Sequence, residues 1–84
     1  MSAIKYIAIF SNGTQYETNT KRPTAYAWRV EWKRTNGDMA DAGGFSATRE
    51  NAEKAMNAWI ARINKGPYNA GITFKEVAKA NPGA

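Results

Sequence analysis

Between Thr24 and Ile63 the hydrophobic period of the chain changes from two to between three and four, and that switch constrains its fold more than any other feature. In "TAYAWRVEWKR" the even positions are Tyr26, Trp28, Val30 and Trp32, and the odd ones are Ala27, Arg29, Glu31 and Lys33. Strict alternation of this kind describes a strand with one face on a core and the other wet. Ala52, Ala55, Met56, Trp59, Ile60 and Ile63 then recur at helical spacing, behind Thr48 as N-cap and ahead of Gly66-Pro67. The stripe makes one apolar helix face that must pack on the sheet. Glu50 and Lys54 are spaced to pair on its solvent side.

The other strands follow from turn chemistry. Asn12-Gly13 separates "IKYIAIF" from "QYETNT", and Asn36-Gly37 separates the alternating run from "MADAGGF". Asn-Gly between β-prone runs predicts two-residue type I′ hairpins. That geometry sets Ile9 opposite Tyr16 and Ile7 opposite Thr18, with Ile7, Ile9 and Tyr16 toward the core. Tyr6, Ala8 and Phe10 then form an apolar strip on the reverse for something to cover. In the second hairpin it sets Trp32 opposite Asp41, Glu31 opposite Ala42, and Trp28 opposite Phe45 on one face. Gly43-Gly44 could hold a bulge that shifts this register by one. A short strand is expected around residues 72–77. The expected architecture is therefore α+β, an antiparallel sheet of about four to five strands in the order β-β-β-β-α-β with one amphipathic helix on one face. Residues 1–79 make a single small domain and 80–84 a frayed tail.

Composition narrows the function. With no cysteine and no histidine among 84 residues, disulfides, thiolate chemistry, the usual zinc sites and a histidine general base are excluded. Asp38 with Asp41 and Glu50 with Glu53 are the available carboxylate pairs, and the second suits a helix N-terminus without a catalytic role. No phosphate loop, nucleophile elbow or metal spacing is present, so the expectation is a non-enzyme without catalytic residues, metal or cofactor. The N-terminal apolar run is too short and too interrupted for a signal peptide, and no stretch approaches the roughly 20 residues of a membrane span. A cytoplasmic location without membrane partners is expected, the host cytoplasm if the chain is phage-encoded.

Twelve Lys and Arg stand against seven Asp and Glu, a formal net charge of +5. Such a balance suits an acidic partner, and it also simply keeps a small protein soluble. Lys21, Arg22, Arg29, Lys33 and Arg34 lie on or beside the third strand and are the candidate binding residues. Phosphate contacts need such clustering. The same alternation also reads as Arg29 and Lys33 flanking Glu31 on a solvated face in ordinary cross-strand pairs.

The segment from Trp28 to Ile63, through "WRVEWKRTNGD", "GGF" and "ATRENAEKA", resembles the AP2-like DNA-binding domains at the N-termini of tyrosine recombinases of phages and mobile elements. The resemblance implies a sheet laid in the major groove with the helix behind it. On that implication Arg29, Glu31 and Lys33 face outward, with Arg34 near the turn; in the DNA-binding reading as a whole Arg29 and Lys33 touch duplex DNA, Arg34 and Arg22 hold phosphates, and Trp28, Trp32, Phe45 and Trp59 are scaffold. The other reading, from a different class, is a small phage-type inhibitor that blocks an acidic host protein surface such as a polymerase, nuclease or CRISPR surveillance complex. Tyr6, Phe10, Tyr26 and Tyr68 are the aromatics that would suit such an interface. The open sheet also leaves edges through which a homodimer could form.

Overall fold

A computed structural model describes residues 3–67 and 69–83 of the chain. Its elements are β1 (Ile4–Ile9), β2 (Gln15–Thr20), β3 (Tyr26–Arg34), β4 (Met39–Ser46), α1 (Arg49–Lys65) and β5 (Asn69–Pro82). The strands form one sheet in the order β2-β1-β5-β3-β4 with every neighbouring pair antiparallel. This is the expected α+β class, β-β-β-β-α-β with one helix. Among the described residues no helix is long and apolar enough to cross a membrane.

Both hairpins differ from the expected register by one residue, and for the same reason. Among the described residues none other than glycine has a positive φ, whereas Gly13 and Gly37 have φ of 89° and 93°. A type I′ turn would need Asn12 and Asn36 at positive φ as well. Instead Gly13 N–H donates to the Phe10 carbonyl and Phe10 N–H to the Thr14 carbonyl; Gly37, Arg34 and Asp38 repeat the pattern. Each loop is thus a three-residue type I turn closed by a left-handed glycine. The Asn side chains help hold it, Asn12 Oδ1 accepting from Thr14 N–H at 3.1 Å and Asn36 Oδ1 from Asp38 N–H at 3.0 Å.

A one-residue slip moves partners to opposite faces. Tyr16 therefore sits opposite Ala8, and Ile9 opposite Gln15. In the second hairpin Trp28 faces Gly44, Phe45 faces Ala27, Glu31 faces Asp41 and Trp32 faces Ala40. Trp28 and Phe45 consequently lie on opposite sides of the sheet. The β3–β4 ladder runs through Gly43-Gly44 without interruption, and the register breaks fall instead between β3 and β5, at Glu31/Trp32 and Lys33/Arg34. Gly43 has another use: the Tyr16 phenol occupies the space a Cβ would need.

The result is a sheet with a core on each side. On one side Trp28 and Val30 of β3 meet Ala52 and Ile63 of α1, with Trp32, Met56, Ile60 and Val77 packed around them. On the other, the β1–β2 hairpin curls over the sheet and buries Tyr6, Ala8 and Phe10 against Ala27, Ala78 and Ala80, with Tyr16, Phe45 and Phe74 closing the cluster. Phe10 packs edge-on to Tyr16 at 5.1 Å between ring centroids. The strip Tyr6/Ala8/Phe10 is thus core, and Ile9, expected inward, is 64% exposed. The alanines belong to this design, because only methyl groups let the hairpin approach the sheet so closely.

The helix begins as expected, Thr48 Oγ1 accepting from Asn51 N–H at 3.1 Å. Ala52 and Ile63 are buried, but Trp59 is 37% exposed and is not part of either core. On the outer face Arg49 pairs with Glu53 at 3.1 Å rather than Glu50 with Lys54. Strand β5 is longer than expected and central: it pairs with β3 from Asn69 to Lys79 and with β1 through Ala80, Asn81 and Pro82. Residues 80–83 are accordingly not a frayed tail, since Ala80 is buried and Gly83 N–H donates to the Lys5 carbonyl at 2.7 Å. Ala84 lies outside the described residues.

Candidate functional site

The five basic positions singled out from the sequence do not form one patch. Lys21 and Arg22 follow β2 at the end of the sheet where β3 begins, and Lys33 and Arg34 finish β3 at the other end. β3 itself, eight residue steps from Tyr26 to Arg34 at about 3.3 Å each, spans roughly 26 Å between those two ends.

Arg29, midway between them, points to the hairpin side and its side chain is only 13% exposed. Its Nε donates to Glu31 at 2.7 Å, one Nη to the Tyr16 hydroxyl at 2.8 Å and the other to Asp41 at 3.2 Å. The guanidinium also lies 5.6 Å from the Tyr16 ring centroid. Burial works against the Arg29 charge, but the hydrogen bonds to Glu31 and Tyr16 outweigh it and hold the group more firmly protonated than usual. Asn12, at the tip of the first hairpin, donates to Glu31 at 2.8 Å, and Ser11 donates to Glu76 through both N–H and Oγ. Arg29 is thus a clamp between hairpin and sheet, already neutralised by two carboxylates, and the face on which the resemblance places DNA is covered here. The solvated cross-strand reading does not describe Arg29, whose closest partner Glu31 lies on the same strand and whose face is covered, whereas Lys33 is exposed.

This clamp predicts an acid-sensitive contribution to stability. The Arg29 hydrogen bond holds the Glu31 carboxyl below its ordinary 4.5, burial opposes this, and the Asn12 hydrogen bond adds to it. A carboxyl depressed in the folded state stabilises fully above the unfolded value and loses that contribution as pH falls through the folded one. Glu31→Gln is expected to cost about 1–3 kcal/mol at neutral pH, since it leaves a half-buried charge poorly paired. Its Tm should then fall less than the parent's between about pH 5 and about pH 3. Parallel thermal melts at both pH values check this; equal acid sensitivity would remove Glu31 from the account.

A different set of groups converges where β3 ends, α1 ends and β5 begins. Because α1 runs back along β3, its last turn arrives beside Arg34, and Asn69 of β5 pairs with Arg34 directly. Trp32, Arg34, Trp59, Arg62, Ile63, Gly66 and Asn69 line an open cleft of about 220 Å³ there. The Arg62 guanidinium lies 5.0 Å from the Trp59 ring centroid, a cation–π stack on an exposed indole. Lys33 precedes Arg34 and Lys65 closes the last helical turn, so four cations gather at this end with Asp38 in the adjoining turn. Among the described residues none of the four forms an ion pair; the paired cations are Lys5, Arg29 and Arg49.

Of these groups only Lys33 and Arg34 are among the sequence candidates. Trp59, Arg62 and Lys65 carry a signal that points elsewhere: an indole in a helical apolar stripe reads as core, and cations in a last helical turn suit the helix dipole alone. Of the aromatics suited to a protein interface, Tyr6 and Phe10 are buried and Tyr26 is half-buried in the helix-side cluster; Tyr68 lies outside the described residues. No protein-family model, curated protein or solved structure matches this chain.

Proposed function

We propose that the chain is a non-enzymatic module that binds DNA through the cationic end formed by Lys33, Arg34, Arg62 and Lys65. The observation that carries this reading is Arg34 and Arg62 lining a cleft with an exposed Trp59, with Lys33 and Lys65 next to the same strand and helix ends and, among the described residues, none of the four in an ion pair, whereas Arg29 is consumed by Glu31 and Asp41. Unpaired, solvated cations release counterions when they meet phosphates, and an already neutralised arginine offers no such gain. The reading keeps Lys33 and Arg34 as phosphate contacts and moves the surface from the sheet face to the end of the sheet. Lys21 and Arg22, at the far end, do not belong to it.

The test is a titration of a labelled duplex carrying a single-stranded overhang, at two salt concentrations, with the parent and an Arg34→Glu/Arg62→Glu variant. Three phosphate contacts correspond to a salt slope of about −2.7, or roughly 40-fold weaker binding from about 50 to about 200 mM salt. The double reversal should weaken binding by on the order of 100-fold at low salt, while Lys21→Glu/Arg22→Glu changes it several-fold at most. Absence of binding at low salt, or equal losses in the two double variants, would overturn the proposal.

A further inference from the structure

We infer that the cleft between Trp59 and the end of β3 receives an unpaired base, so that the module prefers single-stranded DNA to a closed duplex. This rests on the DNA-binding reading above and names which form of DNA the same surface selects.

A surface that only holds duplex phosphates needs cations and has no use for an exposed indole. Here the indole is the feature that packing does not explain. Trp59 stands in the apolar stripe of α1, yet it remains 37% exposed over a cleft that Trp32 also lines. Two tryptophans thus line the space together with Arg34 and Arg62. Planar π surface with flanking positive charge is the combination that holds a single strand: every base has a π face to stack, and its phosphates lie beside it. In a duplex those faces are stacked on neighbouring base pairs, and only the ends present one.

The dimensions agree. Ligand pockets for drug-sized molecules span roughly 300–1,000 Å³, so a cleft of about 220 Å³ suits one ring system rather than several. The cleft is also built from three elements, β3, α1 and β5, whose relative positions are fixed by the helix-side core through Ile63 and Trp32. It is therefore present before any ligand arrives, and little ordering cost attends binding. The Arg62 guanidinium lies over one face of the Trp59 ring at 5.0 Å, so a base that stacks on that face displaces it toward the adjoining phosphate.

The experiment uses the whole chain and two probes of equal length within the range of roughly 4–16 nucleotides that small binding folds cover: a labelled oligothymidine and a blunt duplex. The parent should bind the single strand at least about tenfold more tightly, with quenching of tryptophan fluorescence. Trp59→Ala should weaken single-strand binding roughly 10- to 100-fold, the range expected for losing one stacked base. It should abolish most of the quenching and leave the salt slope unchanged, because the cations remain. Trp59→Phe should restore most of the affinity, which a loss of folding would not allow. Equal binding of both probes by the parent, or single-strand affinity unchanged in Trp59→Ala, overturns the inference while leaving the cationic surface standing. Binding of neither probe overturns both.

Discussion

Phe10→Ala is expected to remove about 3–5 kcal/mol of stability, whereas Ile9→Ala one residue away should fall within about 0.5 kcal/mol of the parent. Phe10 is 2% exposed and sits edge-on between Tyr16 and Phe74, while Ile9 is 64% exposed. A domain of 84 residues has a total stability of about 4–13 kcal/mol at 0.05–0.15 kcal/mol per residue. The first substitution therefore consumes much of it, and unfolding in urea should show a large drop in midpoint. The pair of variants discriminates between two hairpins that differ by one residue of register. In the type I′ geometry Ile9 faces the core and the order of effects reverses. A larger loss from Ile9→Ala than from Phe10→Ala would mean that the hairpin does not cover the sheet, and that Arg29 is not clamped beneath it.

That reversal shows where the sequence stops being legible. The strands, the helix and its cap follow from periods of two and of three to four, which are properties of local pattern and survive packing. The face each strand buries depends on the turn, and Asn-Gly is compatible with both a two-residue type I′ loop and a three-residue loop in which only the glycine is left-handed. Gly13 and Gly37 take that conformation without their asparagines, and nothing local in Asn12 or Asn36 distinguishes the two outcomes. The choice is made by what lies opposite. Tyr6, Ala8 and Phe10 find alanines and Phe74 on a sheet face, and Ile7 and Ile9 would not fill that space as well.

Strand β5 hides for a related reason. "VAKANP" alternates small apolar and polar residues, with Ala78 and Ala80 inward and Lys79 and Asn81 outward, and alanine, lysine and asparagine have little intrinsic strand preference. Its extended form is imposed by β1 and β3 on its two sides. The candidate site divides in the same way. Lys33 and Arg34 are legible because they end a strand whose alternation is plain. Arg62 and Trp59 are not, because their meeting with Arg34 depends on α1 running back antiparallel to β4 and reaching the end of β3, a tertiary fact with no local signature. Arg29 is misleading for the opposite reason. Its place in the alternation is correct, but a second layer covers the face it occupies.

The same distinction separates two tryptophans that the pattern treats alike. Trp28→Ala is expected to cost about 3–5 kcal/mol and to leave the domain mostly unfolded in mild denaturant, since Trp28 is 5% exposed between Val30, Ala52 and Val77. Trp59→Ala should cost only about 1–2 kcal/mol, because the indole already keeps more than a third of its surface in water and its loss opens no closed cavity. Urea midpoints of the two variants, measured together, check the contrast. Comparable losses would place Trp59 in the core and leave the cleft without its platform. The expected difference gives the exposed indole a meaning beyond stability. A helix with Ala52 and Ile63 buried and Met56 and Ile60 packed beside them does not need Trp59 as a further anchor. An exposed tryptophan flanked by Arg34 and Arg62 carries a hydration cost that folding alone does not recover, whereas contact with a stacked base does.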